Sequence, residues 1–203
     1  MSALEAGRGP AWLLWIIVSV IGGVLGALVA WRVRALLTVP APTLVVDLLR
    51  YLATILSAAI AAGAQWFLLR RYRLDVYWWV PATVLAVLLT AIIVIPSVLR
   101  HAVDALTSVH PSDTVTAGGA ALAAAGLVIG AAQAIVLRNS VGNRAWAWIP
   151  ATAVGGGLAG ALTSALSSQL FGLPTFAFIS LLAAVGALLI SATQAAVLHR
   201  LVS

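Results

Sequence analysis

Three glutamines carry the most specific polar pattern in this chain. Gln65, Gln133 and Gln194 each stand five residues before a basic or imidazole side chain, namely Arg70, Arg138 and His199. A carboxamide donates and accepts hydrogen bonds but carries no charge. It therefore performs no acid–base or nucleophilic chemistry; it fixes a neighbour or a ligand. Two roles fit. Each amide bonds a neighbouring helix, a contact that averages about 0.6 kcal/mol inside a membrane. Alternatively, the three amides form a polar ring around a central axis, lining a vestibule or holding a ligand headgroup. On a helix the shared spacing sets each Gln about 7–8 Å from its Arg or His, so all three are expected at one depth.

The other residues capable of chemistry are few. His101, Asp104, His110 and Asp113 fall in one connecting segment and are of metal-ligand type. Pro111 interrupts the helical spacing there, and no tight ligand pair is forced. Solvated loop polarity, on an amphipathic interfacial helix, is the reading of that segment. Asp47 and Arg50 are three apart on one helical face and are expected to pair locally. The chain has no cysteine, no Gly-x-Ser-x-Gly elbow, no His-Glu-x-x-His and no phosphate loop. No His stands mid-span to ligate a haem or chlorophyll. Catalytic residues, a metal and a cofactor are therefore not expected, and the chain is not read as an enzyme.

The elements that must position these groups follow from composition. Of 203 residues, 63% are apolar before the 17 Gly are counted, and only 8% are charged. Soluble domains are roughly 45–50% apolar and about 25% charged, so a water-soluble enzyme and a disordered chain are both excluded. The net charge of +6 comes from 11 Arg and no Lys, set against five acidic residues. In a soluble protein that balance would point to nucleic acid. In a membrane protein it places Arg on cytoplasmic loops, and no nucleic-acid partner is expected.

A bilayer core needs about 20 apolar residues per helical crossing. Six stretches qualify: 11–31, 44–69, 78–99, 115–137, 146–166 and 176–198. Runs such as 120–125 and 85–89 lack the alternation of a barrel strand, so helix is the remaining choice. The first stretch has 21 apolar-run residues, longer than the 7–15 of a signal core, and is read as a retained anchor. The N-terminal tail, second and fourth loops and C-terminal tail carry Arg8, Arg70, Arg71, Arg73, Arg138, Arg144 and Arg200. The opposite side carries Arg32, Arg34, Arg50 and Arg100. Seven against four puts both termini in the cytoplasm, in a bacterial inner membrane.

Self-comparison reveals a repeat. Gly63-Ala-Gln65-Trp-Phe-Leu-Leu-Arg70 precedes Trp78-Trp79-Val-Pro81-Ala82-Thr83. Gly130-Ala-Ala-Gln133-Ala-Ile-Val-Leu-Arg138 precedes Trp146-Ala-Trp148-Ile-Pro150-Ala151-Thr152. The C-terminus gives Gln194-Ala-Ala-Val-Leu198-His199-Arg200. Trp15 with Gly22-Gly23 matches Trp148 with Gly155-Gly156 at an offset of 133. The fold expected is all-α: a six-transmembrane-helix bundle of three tandem hairpins in one membrane domain, 1–203. The repeats run from about 11–71, 78–138 and 146–200. The Gly-x-x-Gln-Trp-x-x-Leu-Arg-Arg block, best matched at 63–71 with the Trp-rich start at 78–83, resembles a set of uncharacterised bacterial polytopic membrane proteins of cyanobacterial and Chloroflexi type. The second copy lacks the Trp after Gln, and the third has His199 where the others have Arg. That resemblance implies architecture and no function.

The remaining features read as membrane geometry. Gly22-x-x-x-Gly26, Gly126-x-x-x-Gly130 and Gly156-x-x-x-Gly160 permit close helix packing. Trp12, Trp15, Trp78, Trp79, Trp146 and Trp148 fall at cytoplasmic helix starts and are expected in an interfacial belt. Arg70, Arg71, Arg73, Arg138, Arg144 and Arg200 are expected to meet lipid headgroups or a partner's acidic surface. Pro81 and Pro150 fall near helix starts, and Pro96 is expected to bend the outer end of the third span. The interior polarity is limited to residues such as Ser19, Thr54, Ser57, Thr90, Ser164 and Ser191, without a charge. That favours a structural or accessory subunit of a larger membrane complex, partnered by lipids and other membrane subunits. A passive channel or transporter for a small neutral solute is the second expectation.

Overall fold

The computed structural model describes residues 11–35, 43–72, 74–94, 96, 111–170 and 172–202. Arg73, Arg100, His101, Asp104 and His110 lie outside them. The described chain is almost entirely helical apart from short connections, with no strand among the described residues. This is the expected outcome for a backbone that must satisfy its own polar groups. The helices are α1 (Ala11–Ala35), α2 (Thr43–Arg71), α3 (Trp79–Leu89), α4 (Pro111–Val141), α5 (Trp148–Gln169) and α6 (Thr175–Val202).

Four stretches are long and apolar enough to cross a membrane: Trp12–Val33, Val45–Arg71, Thr114–Ser167 and Thr175–Leu201. Thr114–Ser167 takes in both α4 and α5, joined by the tight turn Gly142–Ala147. Its 54 residues would reach about 80 Å if straight, far beyond a bilayer core. Instead the chain folds back. Gly142 adopts φ +65°, the left-handed conformation that ends a helix at little steric cost to glycine. Trp79–Val94 is apolar but shorter than the other four. It ends in a π-helical turn, Thr90–Val94, just before Pro96. Proline cannot donate to the preceding turn and crowds its carbonyl, and a widened turn relieves that conflict. Pro111 opens α4 at its first position, so α4 begins four residues before the expected 115.

Each helix packs on the next in chain order, and α6 packs back on α1, which closes a ring. The neighbours are antiparallel. Gly22 faces Ala61 and Ala64 while Gly26 faces Ser57; Gly118 faces Ser164 while Gly130 faces Ile149. The α4–α5 seam is the most extensive and α3–α4 the slimmest. In the former the backbones nearly touch. A Cβ at Gly126 would stand 2.5 Å from the Thr152 carbonyl oxygen, and one at Gly156 or Gly160 would collide with the carbonyl of Leu122 or Gly118. The expected small-residue packing is thus met at atomic contact. The densest core lies at the end of the ring where the odd-numbered helices start and the even-numbered ones finish.

Candidate functional site

That end holds a layer built from the same parts on three helix pairs. Trp15 of α1, Trp79 of α3 and Trp148 of α5 are fully buried. Their rings meet edge to face with centroids 6.3 Å (Trp15–Trp79), 5.4 Å (Trp15–Trp148) and 6.0 Å (Trp79–Trp148) apart. The positive edge of each indole meets the negative face of another, the arrangement aromatic quadrupoles favour. One helical turn further along stand Ser19, Thr83 and Thr152. Each accepts a hydrogen bond from a glutamine amide of the following helix: Gln65 to Ser19 at 3.1 Å, Gln133 to Thr83 at 3.2 Å and Gln194 to Thr152 at 3.0 Å. Four residues beyond each Gln, Leu69, Leu137 and Leu198 are fully buried against the indoles.

The layer is also linked between pairs. The Trp148 indole N–H donates to the Gln133 Oε1 at 2.9 Å, tying α5 to α4. Thr152 accepts from Gln194 and donates to its own Trp148 carbonyl at 2.8 Å. Three buried atoms of the layer have no partner: the Trp15 and Trp79 indole nitrogens and the Gln194 Oε1. Trp15 lies on α1 and Gln194 on the adjoining α6. They are therefore a donor and an acceptor in the same relation that Trp148 and Gln133 satisfy.

The three glutamines thus share one layer and bond hydroxyls on neighbouring helices, while indoles fill the space between. The six tryptophans expected at the interface divide in two. Trp12, Trp78 and Trp146 are 43%, 64% and 41% exposed and suit a headgroup belt; Trp15, Trp79 and Trp148 are withdrawn from it. The correction has a steric cause: an indole on the axis-facing side of its helix has other rings to pack against, which a lipid-facing one lacks. The signal was present in the spacing Trp-x-x-x-Ser/Thr, at 15–19, 79–83 and 148–152. The spacing Gln-x-x-x-Leu, at 65–69, 133–137 and 194–198, repeats in step with it.

Five arginines lie at the same end, the opposite one from Arg32 and Arg50. Arg70, Arg71, Arg138, Arg144 and Arg200 are exposed. Arg70 lies over the Trp66 ring at 5.0 Å and Arg138 over the Trp146 ring at 5.8 Å, cation–π contacts that leave the guanidinium edges free. The expected Asp47–Arg50 pair forms at 3.5 Å on an exposed face.

Three cavities adjoin this framework. One, of about 560 Å³, lies inside the ring beyond the indole layer, with Ser19, Gln65 and Ser191 at its polar end and Leu122, Phe178 and Leu182 among its apolar walls. A second, of about 570 Å³, is an apolar groove in the slim α3–α4 seam. A third, of about 530 Å³, is polar and lies beside it, between Trp66, Arg70 and the loop that precedes α3. No protein-family model, curated protein or solved structure matches the chain.

Proposed function

We propose that the chain is a six-crossing integral membrane protein of three helix pairs that serves as a structural or accessory subunit of a larger membrane complex, without catalysis of its own. The observation that carries this is the indole layer. Three rings in mutual edge contact occupy the axis, which speaks against a continuous path for solute. Gln65, Gln133 and Gln194 donate to hydroxyls on neighbouring helices, and Trp148 donates to Gln133, so these groups join helices. The outward faces carry rows of apolar side chains such as Ile17, Ile21 and Leu25, suited to lipid or to other subunits. The arginine distribution supports both termini in the cytoplasm.

The internal cavity favours the second reading, a passive route for a small neutral solute, with the indole layer as its closed end. One experiment separates the two. The protein is purified from native membranes in mild detergent, and the isolated chain is reconstituted into liposomes. Stoichiometric co-purifying subunits, with solute leakage no faster than from empty liposomes, support the accessory role. A lone particle that admits a neutral solute overturns it.

A further inference from the structure

The groove in the α3–α4 seam and the polar cavity beside it are two halves of one site. They share Asp75 and Tyr77 as common walls. From there the groove runs along Ala82, Leu85 and Leu89 of α3 and along Val128, Ala132 and Ile135 of α4. Trp78 to Leu89 is twelve residues, eleven helical steps, so the groove is about 16 Å long, roughly half of a bilayer core. Leu85 and Ile135 are exposed, so its flank is open to lipid. One end is therefore polar and aromatic and the other purely apolar, which is the polarity of an amphiphile lying along a membrane normal.

The polar end is held in place. The Ser140 hydroxyl accepts from the Asp75 backbone N–H at 2.8 Å and donates to the Asp75 carbonyl at 3.2 Å, clamping the loop onto the end of α4. Tyr77 and Trp78 stand edge to face at 5.3 Å, both exposed. A carboxylate next to two aromatic faces is a cradle for an ammonium group. On the other side of Asp75 the polar cavity offers Arg70, whose guanidinium suits a phosphate. Among the described residues the ion pair in contact is Asp47–Arg50; Arg70 and Asp75 line the same cavity without such a contact.

We propose that this site binds one amine-bearing, zwitterionic phospholipid. Its phosphate meets Arg70, its ammonium meets Asp75 with Tyr77 and Trp78, and one acyl chain lies in the α3–α4 groove. Asp75 is what sets the class. It stands among arginines that would by themselves attract any anionic lipid, and its charge turns the preference toward a headgroup with a cation. The inference rests on the chain crossing a membrane, not on its accessory role.

The test uses the delipidated full chain in detergent, offered equal amounts of phosphatidylethanolamine, phosphatidylcholine and phosphatidylglycerol, with bound lipid counted by native mass spectrometry. The wild-type chain is expected to retain an amine-bearing lipid about five- to tenfold over phosphatidylglycerol. Asp75→Asn is expected to bring that ratio to about one or below, because the arginines then favour the anionic lipid. Leu85→Trp, which fills the groove from its open flank, is expected to lower retention of every class. Asp47→Asn, at the distant exposed pair, is expected to change nothing. Equal or greater retention of phosphatidylglycerol by the wild type overturns the proposal, as does an undiminished preference in Asp75→Asn. Indole-fluorescence melting of each variant establishes that it is folded. Because the reading is made on the isolated chain, it stands or falls independently of whether other subunits co-purify.

Discussion

Helix α4 has two seams, and they are built in opposite ways. Toward α5, Gly118, Gly126 and Gly130 face Gly160, Thr152 and Ile149 so closely that a single added carbon at Gly126 or Gly160 meets backbone. Toward α3 there is no glycine ladder. The slim contact is held at the indole layer by Gln133 on Thr83, and at its end by Ser140 on Asp75, with a groove of about 570 Å³ between. In lipid, apolar side chains gain little by leaving the tails for one another. Association follows from how closely backbones can approach and from a few hydrogen bonds. Where glycines coincide across a seam it closes; where alanines and leucines face each other it leaves space.

The strongest way to break this contrast is to add bulk to the closed seam. Gly156→Leu would drive a side chain into the Leu122 carbonyl, and backbone on both sides leaves it no room to yield. The expected loss exceeds the usual ~1–3 kcal/mol of overpacking and reaches about 5 kcal/mol or more, read as a collapse of the melting temperature in detergent. Trp148→Ala comes next. It empties the place where both seams meet the indole layer and leaves the buried Gln133 Oε1 without its donor. A loss of about 3–5 kcal/mol is expected, while Trp12→Ala, at an exposed indole, should stay within about 0.5 kcal/mol.

Gln133→Leu sharpens the comparison further. It removes bonds to both Thr83 and Trp148, whereas Gln65→Leu removes the one to Ser19. About 1–2 kcal/mol is expected for the first and about 0.6 kcal/mol for the second, measured by denaturation in mixed micelles. The smallest effect belongs to the open seam. Ala132→Leu extends into the groove and should change stability by less than about 1 kcal/mol. A change as large as that of Gly156→Leu would show that the two seams are equally tight.

Much of this was legible in the residues. The apolar runs, the arginine clusters and the Gln-to-Arg spacing marked helices, their ends and the shared depth of Gln65, Gln133 and Gln194. The termini of α2, α5 and α6 fall within four residues of the expected bounds. Less legible was the inward turn of Trp15, Trp79 and Trp148. Each has an equally apolar, equally aromatic neighbour in Trp12, Trp78 or Trp146, and helices apolar all round carry no moment to tell the core side from the lipid side. The α3–α4 groove was invisible for a related reason. Its walls lie fifty residues apart in sequence, and nothing in either run says that they will fail to meet.

What the sequence determined alone is the solvent and the secondary structure. A chain this apolar and this poor in charge must satisfy its backbone within helices, and its arginines must stay at their ends. Only the tertiary structure decided which indole of each pair is enclosed, which seams close and where space remains. Those outcomes depend on the rotational phase of each helix against two neighbours at once, and hydropathy, which is the same on every face here, does not encode that phase.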